Sequence, residues 1–403
     1  MKISIIGLGY VGLPLAIEFA KYYYTVGFDI DRDRIAELKK NNDINKEVKK
    51  LKINKRLVLT SNKKNIDNSD FFIVTVPTPI YKNKKPNLTS LINASKLIGH
   101  YIKKNNIVVF ESTVYPGVTE NICAKEISNI SNLKLNKDFF IGYSPERINP
   151  GDKKNTLTNI NKIISASNKK SLNKIYKIYK KIIKANVIKA ESIKIAEGAK
   201  IIENAQRDIN IAFMNELKII FEKQKIDFNK VLNVASSKWN FLNFTPGLVG
   251  GHCIGIDPYY LHYYALKNGY KSKIVLAGRQ INDYMPKYIF KTFIKSFEAF
   301  RSTNNLKKNK ILFLGITFKK NVNDTRNSKS IELLKMLNKK FKIDVCDPLI
   351  NDRKISVSNF KMINLNKINI DNYGAIIYAV NHDKFSIIKK NIKNKNIFIF
   401  NIN

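Results

Sequence analysis

Residues 2–31 read KISIIGLGYVGLPLAIEFAKYYYTVGFDID, and they decide the fold. A short apolar run leads into a glycine turn, then into apolar positions at helical spacing, then into a second short apolar run ending at Asp29. Short runs bounded by turn residues mark strands, and the 3.6-residue period marks the helix between them. The stretch is therefore a βαβ unit. Gly7, Gly9 and Gly12 form G-x-G-x-x-G where the first strand meets the helix, and Asp29 closes the next strand. Glycines there let backbone N–H groups and the helix N-terminus approach a pyrophosphate, while the carboxylate accepts hydrogen bonds from ribose hydroxyls. An acidic residue also repels a 2′-phosphate, so NAD is expected over NADP. The simpler alternative is a glycine turn that serves only strand-to-helix packing. Tyr10 and Val11 lie between the glycines, and Arg34 either stacks on an adenine or faces solvent.

Working outward, FFIVTVPTP (71–79), NIVVFESTV (106–114) and FFIGYSPER (139–147) read as further strands, with helix-length segments between several of them. Such alternation predicts a parallel sheet covered by helices on both faces. Ligands of these sheets lie beyond the carboxyl ends of the strands. Thr78, Glu111, Ser112, Thr113, Glu146 and Arg147 stand at such ends and become candidates, although Ser, Thr and Pro also stop strands without any further purpose.

From Ser192 onward, SIKIAEGAKIIENAQRDINIAFMNELKIIFEKQ contains no proline and reads as one long helix, a spine between domains or an interface. Residues 263–301 read as helical, broken at Pro286. NKILFLGITFKKNVNDTRNSKSIELLKMLNKKFKIDVCDP then repeats the opening logic, with GAIIYAV and NIFIF as its last strands. The expected fold is α/β, with two Rossmann-like doubly wound parallel-sheet domains joined by a long central helix. Its divisions fall at 1–191, 192–301 and 302–403.

The 403 residues are 44% hydrophobic and 26% charged, as in a folded multi-domain protein. The net charge of +39 raises nucleic acid or an acidic membrane as partners. Yet the lysines are scattered among Asn and Ile, as in NKEVKKLKINK, and the expectation is a solvated basic surface without nucleic acid. Three widely spaced cysteines, Cys123, Cys253 and Cys346, suggest neither a disulfide framework nor a zinc site. With no apolar stretch long enough for a membrane span, a reducing cytoplasm is the expected location and no membrane insertion is foreseen.

Lys200 and Asn204 stand four apart on the long helix and so share a face, with Glu203 and Arg207 beside them. They form either an exposed polar stripe or a cation and an amide that hold a developing oxyanion. Cys253 lies in PGLVGGHCIGIDPYY, framed by Gly247, Gly250, Gly251 and Gly255. A free cysteine is more often a buried small hydrophobe. The glycines argue for an approachable loop, in which a nearby cation such as Lys200 would favour the thiolate. His252 has no assigned role.

GLGYVGLPLA, ESTVYPGVTE, GYSPERINPGD, AKIIENAQRDINIAFMNEL, PGLVGGHCIGIDPYYL and GITFKKNVNDTRNS occur in this order over nearly the whole chain. Together they resemble the nucleotide-sugar 6-dehydrogenases, the family of UDP-glucose dehydrogenase. The resemblance is nearest to the branch that oxidises UDP-N-acetylhexosamines to uronic acids for surface polysaccharides.

The resemblance implies a four-electron oxidation at C6, with two molecules of NAD and no metal, in a cytoplasmic homodimer paired along the long helix. The family's catalytic cysteine falls on Cys253, its lysine and asparagine on Lys200 and Asn204, and its aspartate on Asp257. Its water-associated threonine falls on Thr113 and its thioester-hydrolysis glutamate on Glu146. Lys319 and Arg326 would approach the substrate diphosphate and the cofactor, and the loop with Gly250 would wrap the UDP-sugar. The second glutamate of the UDP-glucose branch is replaced by Pro150, which points to a different sugar. A β-hydroxyacid dehydrogenase would share the first domain, the long helix and the Lys/Asn pair. It needs neither the cysteine nor the second Rossmann-like domain.

Overall fold

The computed structural model describes residues 1–43, 48, 54–146, 155–251, 253–350, 360–392 and 396–402. Two compact units divide the chain, one of Met1–Glu203 with Tyr259–Lys271, the other of Asn204–Pro258 with Ser272–Asn403.

The first unit runs β1 (Lys2–Ile6), α1 (Gly12–Ala20), β2 (Tyr24–Phe28), α2 (Arg32–Lys39), β3 (Leu57–Thr60), β4 (Phe71–Val74), α3 (Thr89–Gly99), β5 (Ile107–Phe110), α4 (Ala124–Ser131), β6 (Phe140–Tyr143), β7 (Lys162–Ala166), α5 (Lys169–Lys180) and β8 (Val187–Lys189). Helix α6 (Ile193–Lys223) follows, and the division between units falls within it. The sheet order is β3-β2-β1-β4-β5-β6-β7-β8. Ile5 pairs with Gly27 on one side and Ile73 on the other. The strands FFIV and IVVF are buried throughout because helices cover both faces, which is why they read as unbroken apolar runs. The order reverses between β1 and β4, the switch point where such sheets open a crevice for ligands. One pairing departs from the expected parallel sheet: β6 and β7 are antiparallel, with Tyr143 opposite Ser165. The reversal puts the first residue of β7, Lys162, at the end of the sheet where the parallel strands finish.

In the second unit, α7 (Phe228–Ala235) is followed by α8 (Asp257–Lys267), which begins here and continues into the first unit. Next come α9 (Ile274–Thr303), β9 (Ile311–Leu314), α10 (Lys329–Leu337), β10 (Ile343–Cys346), β11 (Lys361–Met362), β12 (Ala375–Tyr378), α11 (Ser386–Asn391) and β13 (Phe398–Asn401). The sheet order is β11-β10-β9-β12-β13, all parallel. Its core packs Phe293 and Phe297 of α9 against Phe341 and Phe398.

Pro286 does not break the helix as the sequence suggests: α9 passes through it. A proline inside a helix forfeits one hydrogen bond and costs about 3 kcal/mol. Here Met285, Pro286 and Ile289 are buried together and offset that loss. The interruption falls earlier, at Gly269, whose φ of +79° ends α8 while Tyr270 N–H returns to the Ala265 carbonyl. Among the described residues no helix is long and apolar enough to cross a membrane.

Candidate active site

The glycine turn between β1 and α1 has the geometry of a phosphate cradle. Gly7 has φ +97°, and its N–H bonds the Phe28 carbonyl at 2.8 Å. A Cβ on Gly12 would stand 1.8 Å from the Gly7 carbonyl oxygen, so only glycine closes this turn. Nothing lies within 4 Å of a Cβ built on Gly9, leaving its backbone open to an approaching group. The Asp29 carboxylate accepts from Leu8 N–H at 2.7 Å and Asp31 N–H at 3.0 Å, which holds it at the tip of β2 beside the turn. Val11 packs on the core beneath, and Tyr10 is half-buried. Arg34 does not simply face solvent: it donates to the Leu8 carbonyl at 3.2 Å and pairs with Asp43 at 2.8 Å. These residues fit a dinucleotide's pyrophosphate and ribose.

The strand-end loops are tied to one another. Ser112 Oγ donates to the Val76 carbonyl at 2.7 Å, and Tyr260 Oη donates to the Thr78 and Pro79 carbonyls, both at 3.0 Å. Thr113 is half-buried just beyond β5. The amino-terminal part of α6 anchors the same loops. Glu197 accepts from Gly117 N–H at 2.5 Å and Thr119 N–H at 2.9 Å, and Lys200 Nζ donates to the Glu146 carbonyl at 2.7 Å. The Glu146 carboxylate is turned inward to Lys162 Nζ at 2.5 Å, and Lys162 also reaches Glu111 at 2.7 Å. Arg147, Pro150 and His252 lie outside the described residues.

In the second unit, Asn204 Nδ2 donates to Asp257 Oδ2 at 2.5 Å, both side chains being buried. Asp257 opens α8, and its N–H bonds the Cys253 carbonyl at 2.9 Å. Cys253 is exposed, whereas Cys123 and Cys346 are buried and their thiols pushed up to about 12 by burial. Only Cys253 has the exposure a nucleophile needs. The glycines before it serve close packing. A Cβ on Gly250 would stand 2.5 Å from the Asn327 carbonyl, and one on Gly251, at φ +86°, would stand 2.8 Å from the Phe318 ring. The cysteine loop is thus seated on the segment that carries Lys319, which is half-buried, and Arg326, whose guanidinium pairs with Asp324 at 2.8 Å.

Four groups escaped the sequence reading: Lys162, Glu197, the buried Arg279 paired with Asp208 at 2.5 Å, and His382. His382 Nδ1 accepts from Asn321 N–H at 2.9 Å, so Nε2 carries the proton, 3.1 Å from Asp347 Oδ2. Asp347 in turn accepts from Ile316 N–H at 2.8 Å, fixing the loop after β9. Each is one lysine, acid, arginine or histidine in ordinary sequence surroundings, without a motif to mark it.

Known proteins bear on this geometry. The NAD binding domain of the UDP-glucose/GDP-mannose dehydrogenase family matches residues 1–183, its central domain 194–284 and its UDP binding domain 312–402. The chain is 48% identical over 388 residues to UDP-N-acetyl-D-glucosamine 6-dehydrogenase of Salmonella typhi, covering 96% of this chain and 91% of that one. It is 45% identical over 400 residues to the protein of that name from Pseudomonas aeruginosa, with 98% and 93% covered. The solved UDP-D-ManNAc dehydrogenase of Pyrococcus horikoshii superposes with a TM-score of 0.83 at 27% identity, covering 100% of this chain and 99% of that one. With an NAD cradle at its first switch point and matches spanning most of its length, the chain belongs to the UDP-glucose/GDP-mannose dehydrogenase family.

Proposed function

We propose that the chain oxidises UDP-N-acetylglucosamine at C6 to the uronic acid through a thioester on Cys253, making a precursor for surface polysaccharide. Relatives of that name at 45% identity or more support the sugar. One observation carries the mechanism: the exposed Cys253 precedes a helix whose first residue, Asp257, is hydrogen-bonded to Asn204. The family matches support division into an NAD-binding segment (1–191), a connector with the cysteine loop (192–301) and a UDP-sugar-binding segment (302–403).

Bound NAD supplies the hydride acceptor for both oxidations. In the proposed sequence Lys200 and Asn204 donate to the C6 oxygen as it sheds its proton, and they hold the resulting aldehyde. An ammonium has three donors, so Lys200 serves the Glu146 carbonyl and this oxygen together. Cys253 Sγ then bonds to C6 to give a thiohemiacetal, which becomes the thioester when the second hydride leaves. Water oriented by Asp257 and Thr113 attacks that carbonyl, its proton passes to Glu146, the C–S bond breaks, and the thiolate returns to Cys253. Per sugar, one water is consumed, and two NADH and three protons are released. Gly250, Lys319 and Arg326 are assigned to the UDP-sugar and the cofactor. A homodimer in the cytoplasm completes the proposal.

The test offers NAD with a panel of UDP-N-acetylglucosamine, its C4 epimer, UDP-N-acetylmannosamine and UDP-glucose, and counts NADH per sugar consumed. About two NADH and a uronic acid are expected with UDP-N-acetylglucosamine, as the covalent route requires. About one NADH, with an aldehyde or ketone as product, sinks the proposal. Cys253→Ala is expected to abolish acid formation and leave NAD binding intact.

A further inference from the structure

Lys162, Glu111 and Tyr179 form with Glu146 a buried ionic cluster, of which the steps above use Glu146 alone. The side chains of Lys162, Glu111 and Glu146 are 1%, 0% and 4% exposed. Four separate elements bring them together. Glu111 follows β5, Glu146 stands shortly after β6, Lys162 opens the antiparallel β7, and Tyr179 on α5 donates its hydroxyl to Glu111. Burying one carboxylate without a partner is costly, and burying two side by side is worse. The ammonium, bonded to both, offsets that cost. Burial alone would lower the pKa of Lys162, but the two carboxylates outweigh it and hold the ammonium above its ordinary value. Burial raises Glu111 against the pull of Lys162, and Tyr179 is pushed well up, so its phenol remains a donor.

We propose that Lys162 is a positioning residue for thioester hydrolysis, holding the Glu146 carboxylate where it accepts the proton of the attacking water. The inference rests on the role given to Glu146 above. Glu111 is the counter-carboxylate that keeps the ammonium in place. Because β7 runs antiparallel to β6, its first residue reaches the ligand end of the sheet and lies beside Glu146. A parallel strand would present its last residue there instead.

The experiment follows acid formation, NADH burst and acyl-enzyme by intact mass after a quench, across pH, in wild type, Lys162→Met, Lys162→Arg and Glu111→Gln. In Lys162→Met the two carboxylates face each other without a cation, so the pair takes up a proton at higher pH. Its acid limb should move to higher pH, acid formation should fall about 100-fold, and a mass adduct on Cys253 should accumulate behind a preserved burst. Lys162→Arg should restore most of the rate. Glu111→Gln removes the like charge and leaves a single ion pair, so its acid limb should move to lower pH; this arm stands even if Lys162→Met does not fold. Unshifted limbs in the variants that fold, with no accumulated adduct, overturn the inference. If wild type itself makes about one NADH per sugar and never carries an adduct, the covalent reading has failed, and this inference fails with it.

Discussion

Asn204 and Asp257 meet at 2.5 Å from positions 53 residues apart, and that contact gives the exposed Cys253 a chemical setting. Neither residue stands out alone; the K-x-x-x-N spacing admits an exposed stripe equally well. Burial of both side chains rules out the stripe. Glu197 makes a comparable point about two turns earlier on α6. Burial pushes its carboxyl from 4.5 up to about 7, although Thr119 and Gly117 N–H groups pull the other way. Below pH 4.5 the group is protonated whether the chain is folded or not. As pH rises to about 7 the unfolded chain ionises first, so stability falls through that window and stays lost above it. At about 1.4 kcal/mol per pH unit the loss is roughly 3 kcal/mol. Glu197→Gln should remove this decrement, so that its melting temperature falls less than that of wild type between pH 5 and 8. Parallel curves for the two proteins would mean that Glu197 does not titrate in this window.

At the scale of elements, the strand-turn-helix at residues 2–20 is legible because every requirement is local: an apolar run, glycines where the chain must turn sharply, then helical spacing. Gly12→Ala tests that logic. Its Cβ would collide with the Gly7 carbonyl at 1.8 Å, so the turn must open. Calorimetry should show NAD affinity falling at least tenfold, about 1.4 kcal/mol. Unchanged affinity would argue that the cradle lies elsewhere. Helix α6 is legible for the same reason, being continuous and free of proline. Pro286 shows the limit of such reading. Local propensity predicts a break there, whereas packing of the neighbouring Met285 and Ile289 carries the helix through. The antiparallel β7 was not legible either, because nothing within KIISA marks the direction in which it pairs with its neighbour.

For the whole molecule, the notable exposed surface is a line along α6. Ile195, Ile202, Phe213 and Ile220 are 49–59% exposed and stand at steps of seven and eleven residues, within about 20° of one line on a helix. This stripe fits a second copy of the same helix and supports the proposed homodimer. Ile202→Glu with Phe213→Glu should convert a dimer into a monomer in sedimentation analysis. A wild type that is monomeric at micromolar concentration would remove this assignment. The sequence alone determined the βαβ opening, the repeated C-terminal strand-helix pattern, the long helix and the family motifs, because each is written in neighbouring residues or short spacings. Tertiary structure alone decided that Lys162, one lysine in a chain with 71 basic residues, sits between Glu111 and Glu146. It likewise decided that His382 and Asp347 hold the loop after β9, and that the glycines before Cys253 fit against Phe318 and Asn327. Those contacts depend on strand order, direction and register, and side-chain periodicity along one strand carries no information about its neighbours.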